Sequence, residues 1–199
     1  MKASVIPRCE VIARIIPPHF TEQSDKVVNG LIEKNVIAKV DVPPPWVSPA
    51  FFRVRLVMDY TKLNKFVDRP IHSFPSTRDI MQSIPNGQHF FAKLDAVHGC
   101  FQLGLDDKGS FVTTFPLPQE WFWYLRVPMG LNASPDKWCR HLDVMIEGLP
   151  WAINIVDDNI IWASTTESKQ CWTGAMPLGA AAYQLGNTSS RTITEVKQR

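Results

Sequence analysis

Asp157 and Asp158 stand side by side in Ile155-Val156-Asp157-Asp158, between the apolar runs 153–156 and 160–163. Adjacent carboxylates in so apolar a setting repel each other and lose hydration. A turn takes one Asp readily, because its side chain bonds nearby backbone. A second one points to a cation; the alternative is a solvated Asp-Asp turn. Asp95 supplies a third carboxylate. It ends Phe90-Phe91-Ala92-Lys93-Leu94, which reads as a strand, and the small-residue turn 96–99 follows it. If that strand lies beside the 153–163 hairpin, Asp95 and Asp157 face each other across the intervening chain. Hard oxygen donors of this kind suit Mg²⁺, which takes a few carboxylates together with substrate phosphates. Two such ions clamp the attacking and leaving oxygens of phosphoryl transfer.

The elements that must position these groups belong to a chain of 199 residues, 45% hydrophobic and 20% charged. That composition suits one globular domain or two small lobes sharing a core, and excludes wholesale disorder. A net charge of +2 excludes the strong field of a purely electrostatic nucleic-acid binder. The balance is uneven: residues 1–75 carry 11 basic and 7 acidic side chains, residues 76–165 carry 6 and 10. A basic lobe beside an acidic one suits a phosphate-rich partner next to a cation site; the competing explanation is chance surface variation. Four cysteines with no Cys-x-x-Cys pair exclude a disulfide scaffold and a zinc knuckle. The expectation is a reducing, intracellular setting, cytoplasm or nucleus, with no signal peptide and no membrane span.

Periodicity predicts a helix over 20–34, with Val27, Val28, Leu31 and Ile32 on one face and Asn35 as its stop. Strands are expected over 36–40, 56–60, 90–95, 101–105, 111–115 and 121–127. Ser76-Thr77-Arg78-Asp79 reads as a capping-box helix start, and Ser134-Pro135 as the start of a helix ending near Gly148. Interleaved helices and antiparallel hairpins predict an α+β fold. Residues 166–199 lack periodicity and are expected to form a poorly ordered tail.

Five blocks then occur in one order: Trp46-Val47-Ser48-Pro49; Arg55-Leu56-Val57-Met58-Asp59-Tyr60-Thr61-Lys62-Leu63-Asn64; Leu94-Asp95 with Gly99 and Gln102; Met129-Gly130-Leu131-Asn132-Ala133-Ser134-Pro135; and Val156-Asp157-Asp158. The order resembles that of reverse transcriptases, with the nearest likeness to gypsy-like long-terminal-repeat retrotransposon polyproteins. The resemblance implies an RNA-directed DNA polymerase with a right-hand fingers and palm, an antiparallel palm sheet and no thumb. Fingers would occupy 1–68 and 103–133, palm 69–102 and 134–165, and the tail 166–199. It implies that Asp95 and Asp157 ligate two Mg²⁺ ions, that Asp158 shapes the site as third carboxylate, and that the Ala96 carbonyl completes the metal shell. The amides of His98 and Gly99 would touch the incoming dNTP, and Arg55 would hold a phosphate. Cys100 would stand at the gate against the ribose 2′-OH, and Met129 near the incoming base and the template. The partners implied are dNTP and an RNA or DNA template with its primer.

Several residues depart from the family pattern. Ala50-Phe51-Phe52-Arg53-Val54 joins the Ser-Pro and Asp-Tyr blocks almost directly, where the family has a longer lysine-bearing hairpin. Ile155 replaces a Tyr, Cys100 replaces a bulky gate, and nothing after about residue 164 resembles further palm, thumb or RNase H. The expectation is a truncated retroelement copy with weak or no activity, or an inactive relic that at most binds nucleic acid. Other residues have plainer explanations: Trp138 and Cys139 as helix core, Trp121-Phe122-Trp123-Tyr124 as core packing, Lys62 and Lys65 as a solvated face.

Overall fold

A computed structural model of the chain describes residues 13, 15–41, 46–52, 55–73, 75–96, 98–118, 120–155 and 158–165. In chain order the elements are α1 (Thr21–Glu33), β1 (Ile37–Val40), β2 (Ala50–Phe52), β3 (Leu56–Met58), α2 (Thr77–Ser83), β4 (Phe90–Asp95), α3 (Asp107–Val112), β5 (Phe115–Leu117), β6 (Glu120–Tyr124), α4 (Ser134–Ile146), β7 (Ala152–Ile155) and β8 (Asp158–Ala163). Among the described residues all strand pairing is antiparallel, in three sheets ordered β1-β6-β5, β2-β3 and β4-β8-β7. Helices mixed with antiparallel sheets make the fold α+β. The chain divides into two compact units, each built from two stretches: Met1–Arg69 with Cys100–Ser134, and Pro70–Gly99 with Pro135–Arg199. Among the described residues no helix is long and apolar enough to cross a membrane.

In the first unit, α1 buries Val28 and half-buries Val27, Leu31 and Ile32, the face its periodicity predicts. Asn35 ends it in the left-handed conformation, at φ 52°, so that Val36 N–H donates to the Leu31 carbonyl at 2.9 Å. The core gathers Trp46, Met58, Tyr60, Leu63, Phe115, Phe122 and Tyr124. The Phe115 ring lies 5.4 Å from Tyr124 and 5.9 Å from Phe122, centroid to centroid. Phe122 and Tyr124 are buried and Trp121 and Trp123 half-buried, so the aromatic run of β6 is core packing. Burial raises the Tyr60 and Tyr124 hydroxyls well above their ordinary pKa, so both stay protonated.

Three local expectations are corrected here. Residues 101–105 are not a strand: a 3₁₀ turn spans Gly99–Gln102, and Gly104 makes an isolated bridge to Arg126. Residues 111–115 are not one strand either: Phe111 and Val112 end α3, and β5 begins only at Phe115. Asp106 caps α3 by accepting from Gly109 N–H at 2.8 Å, and this local bond overrides the β-propensity of Phe111 and Val112. Residues 50–52 are not a bare connection. They form β2, pairing with β3 through Ala50–Met58, Phe51–Val57 and Phe52–Leu56. A short hairpin therefore stands there, with Arg53 and Val54 outside the described residues.

In the second unit β8 is the central strand of three. Ala92, Ile161 and Ala163 form a buried cluster with Phe90, Trp151 and Ala152 against it. Ser76 and Asp79 make the predicted capping box at the start of α2. The α4 helix buries Trp138, Cys139 and Leu142, as the helix-core assignment required. The tail 166–199 lies outside the described residues.

Candidate functional site

Strands β4 and β8 carry two of the three aspartates. Asp95 is paired in register with Asp158, and Leu94 with Asn159. Paired positions of an antiparallel ladder lie on one face of the sheet, with their Cα atoms about 4.5–5.5 Å apart. Ile155, the last residue of β7, pairs with Asp158, so the register of the hairpin is fixed on both sides. Asp157 lies outside the described residues.

Asp158 is half-buried, and its Oδ2 accepts from Lys93 Nζ at 2.7 Å. Lys93 stands two residues before Asp95 on β4. So exposed a pair contributes about 0–1 kcal/mol to stability. Its larger effect is to orient the Asp158 carboxylate and partly neutralise it. Carboxylate oxygens and a main-chain carbonyl are the hard donors Mg²⁺ takes. Asp95, Asp158, the Ala96 carbonyl and Asp157 are the residues that could hold it. Among the described residues no group of three or more His, Cys, Asp or Glu side chains forms a metal cluster.

Beyond β4, Ala96 is half-buried and His98 is exposed with φ 52°. A non-glycine residue in that region marks a forced turn. Gly99 is buried against the Trp138 indole of α4, so closely that a β-carbon added to it would lie 2.6 Å from Cζ2 and 2.8 Å from Nε1. Trp138 is 1% exposed. The turn after Asp95 is thus seated on an aromatic ring that tolerates only glycine. Sequence reading assigned Trp138 to the core but not this contact; the signal was the Gly99–Trp138 pair itself, which only the fold brings together.

The remaining predicted residues belong to the first unit. Arg55 is exposed and sits in the bend before β3, not on the strand. Cys100 is half-buried inside the 3₁₀ turn and is not disulfide-bonded. Met129 is 48% exposed, beside Gly130 with φ 96°. A clamp that sequence reading missed holds this loop. Asn64 Nδ2 donates to the Gly130 carbonyl at 2.9 Å, and Asn64 Oδ1 accepts from Asn132 N–H at 2.9 Å. Asn132 Nδ2 returns a bond to the Asn64 carbonyl at 3.1 Å. Both asparagines lie inside the blocks that carry the resemblance, but nothing in the spacing pairs them. Lys62 and Lys65 are exposed beside this clamp.

No protein-family model matches the chain. It is similar to the enzymatic polyprotein of Figwort mosaic virus, 26% identical over 183 residues, covering 84% of this chain and 27% of that protein. The enzymatic polyprotein of Cauliflower mosaic virus (strain Strasbourg) is 26% identical over 161 residues, covering 75% of this chain and 23% of the polyprotein. The chain therefore spans about a quarter of the length of these relatives. Among solved structures it is similar to native prototype foamy virus protease–reverse transcriptase, at TM-score 0.72 and 17% identity, covering 86% of this chain and 23% of that one. The foamy viral enzyme in complex with an RNA/DNA hybrid gives TM-score 0.74 at 18% identity, covering 85% and 23%. The chain is a distant homologue of viral enzymatic polyproteins, and its fold is that of a segment of a protease–reverse transcriptase.

Proposed function

We propose that the chain is the fingers–palm part of an RNA-directed DNA polymerase of the gypsy-like retroelement kind, the first unit being fingers and the second palm. The observation that carries the reading is the register pairing of Asp95 with Asp158 at the head of an Asp-Asp hairpin. The two-unit division at Arg69, Gly99 and Ser134 supports it. So does the likeness to an enzyme solved with an RNA/DNA hybrid. The reaction is transfer of a nucleotidyl group from dNTP to a primer 3′-OH on an RNA or DNA template. Bound Mg²⁺ supplies neutralisation of the charge that builds on the reacting phosphate. Asp95, Asp157 and the Ala96 carbonyl would hold the metal, and Asp158 would shape their surroundings while Lys93 orients it. The amides of His98 and Gly99 bind the triphosphate, and Arg55 adds a cation to it. The resemblance assigns Cys100 the role of sugar gate and Met129 a role beside the base.

One observation favours a second reading, an inactive relic that only binds nucleic acid. The Lys93 ammonium already pairs with Asp158, where an internal cation offsets the need for metal. Fluorescence anisotropy with a labelled RNA/DNA hybrid tests what the two readings share. Binding is expected in the micromolar range, weakening steeply as salt rises. No binding at low salt would overturn both, and binding without nucleotide incorporation would select the relic.

A further inference from the structure

Strands β7 and β8 read Ala-Ile-Asn-Ile and Asp-Asn-Ile-Ile-Trp-Ala. Both faces of this hairpin are rich in apolar residues, so the hydrophobic pattern alone does not choose between two registers one residue apart. A slip by one residue would turn Asp158 to the other face of the sheet. The short connection between Ile155 and Asp158 constrains the register, and the polar groups of the second unit bear on it as well.

Asn154 is the one polar residue of β7, and it is 5% exposed. Its Nδ2 donates to the Cys139 carbonyl of α4 at 3.3 Å and to Asp143 Oδ1 at 3.1 Å. The other carboxylate oxygen of Asp143 accepts from His72 Nε2 at 2.8 Å. The backbone N–H of His72 donates in turn to Asp136 Oδ1 at 3.1 Å, and Asp136 is 2% exposed. A directional chain therefore runs from the segment before α2, through α4, to the middle of β7. Asn159, 3% exposed, stands opposite Asn154 in register, and Oδ1 of each is buried with no hydrogen-bond partner among the described residues. Such incompletely satisfied groups are costly in a sheet where aliphatic residues would fit. Their use is specificity: α4 accepts Asn154 only when β7 presents it on the inner face.

We propose that His72, Asp143 and Asn154 form a register lock, positioning residues that hold β7 against α4 and pair it with β8 as Asn154 with Asn159, so that Asp158 keeps its face of the sheet. Their importance for catalysis rests on the polymerase reading of that hairpin; the lock itself does not.

The test uses the full chain with cysteines placed at the register pair Ile153 and Ile160. Oxidation, followed by mass spectrometry of the 153–160 cross-linked peptide, reads the register without reference to activity. Near-complete cross-linking is expected with the native lock. Asn154→Val and Asp143→Leu should each cut the yield by half or more, and the melting temperature of Asn154→Val should stay level or rise, because Asn154 is buried and valine repacks the interior. His72→Gln, which retains a donor, should keep the cross-link, whereas His72→Phe should lose part of it. Full cross-linking in Asn154→Val, Asp143→Leu and His72→Phe would overturn the lock. If Asn154→Val or Asp143→Leu fails to fold, His72→Phe decides, since it removes only the outermost link. Loss of cross-link in a chain that never incorporates nucleotide would sustain the lock and reject the polymerase.

Discussion

Gly99→Ala should destabilise the second unit, although the substitution adds a single methyl group. Gly99 is not among the glycines with positive φ, so alanine meets no backbone strain and the whole effect is contact. The new carbon would stand 2.6 Å from Trp138 Cζ2 and 2.8 Å from Nε1. Carbon atoms pack best at about 3.5–4.0 Å, so the indole must retreat by roughly 1 Å. Trp138 is 1% exposed, so its ring is enclosed by the protein and any retreat displaces neighbours. Forced overpacking of this kind costs about 1–3 kcal/mol. At about 2–4 °C per kcal/mol for a chain of this size, the melting temperature falls by roughly 2–12 °C. Trp138→Leu relieves the clash, and the Gly99→Ala/Trp138→Leu double variant should be more stable than the sum of the single effects, by about 0.5–3 kcal/mol. Circular-dichroism melts of the parent and three variants measure this. A Gly99→Ala protein melting within 1 °C of the parent (about 0.3–0.5 kcal/mol on that scale), or strictly additive effects, would refute the packing argument.

Two further outcomes follow from local geometry. Asn64→Ala removes two side-chain hydrogen bonds, those to the Gly130 carbonyl and from Asn132 N–H. At about 0.5–1.5 kcal/mol each, protection of the Asn132 amide in hydrogen exchange should drop about 5- to 150-fold; unchanged protection would mean the clamp does not hold the Met129 loop. At α2, hydrogen bonds from the Ser76 hydroxyl and then its backbone N–H lower the Asp79 pKa below the ordinary 3.8. A lowered folded-state pKa gives stability that is present above the unfolded value and lost as pH falls through the folded one. Asp79→Ala should therefore destabilise α2 at neutral pH, with the gap closing below pH 3.8; a gap independent of pH between 7 and 2 would remove the carboxylate from the account.

Much of the fold was legible where local signals are strong. The α1 stripe, its Asn35 stop, the Ser76–Asp79 capping box and the 90–95 strand follow from periodicity and cap chemistry, which act over a few residues. The 101–115 region misled because Phe101, Phe111, Val112 and Phe115 favour strands, while Asp106 bonds Gly109 and starts a helix. The β2–β3 hairpin escaped notice because each of its strands has three residues, too few to show an alternation. For the site, the spacing brought out Asp95 and the Asp-Asp pair, and the register then set Asp95 opposite Asp158. The Gly99–Trp138 contact, the Asn64–Asn132 clamp and the Lys93–Asp158 pair depend on residues that only folding brings together, and single residue types do not encode them. In the second unit, the asparagines of β7 and β8 occupy positions where an alternation pattern expects aliphatic side chains. Read as pattern they are defects; with α4 in place, Asn154 gains the Cys139 carbonyl and Asp143 as partners.

The most direct measurement is incorporation of a single dNTP into a primer on an RNA template, with the chain in excess and Mg²⁺ present. It is made for the parent, Asp95→Asn and Asp157→Asn under conditions where all three bind the primer–template. A one-nucleotide product is expected from the parent, requiring divalent metal and disappearing in both variants. Equal product from either variant, product without divalent metal, or no product from a parent chain that binds the duplex would contradict the polymerase reading.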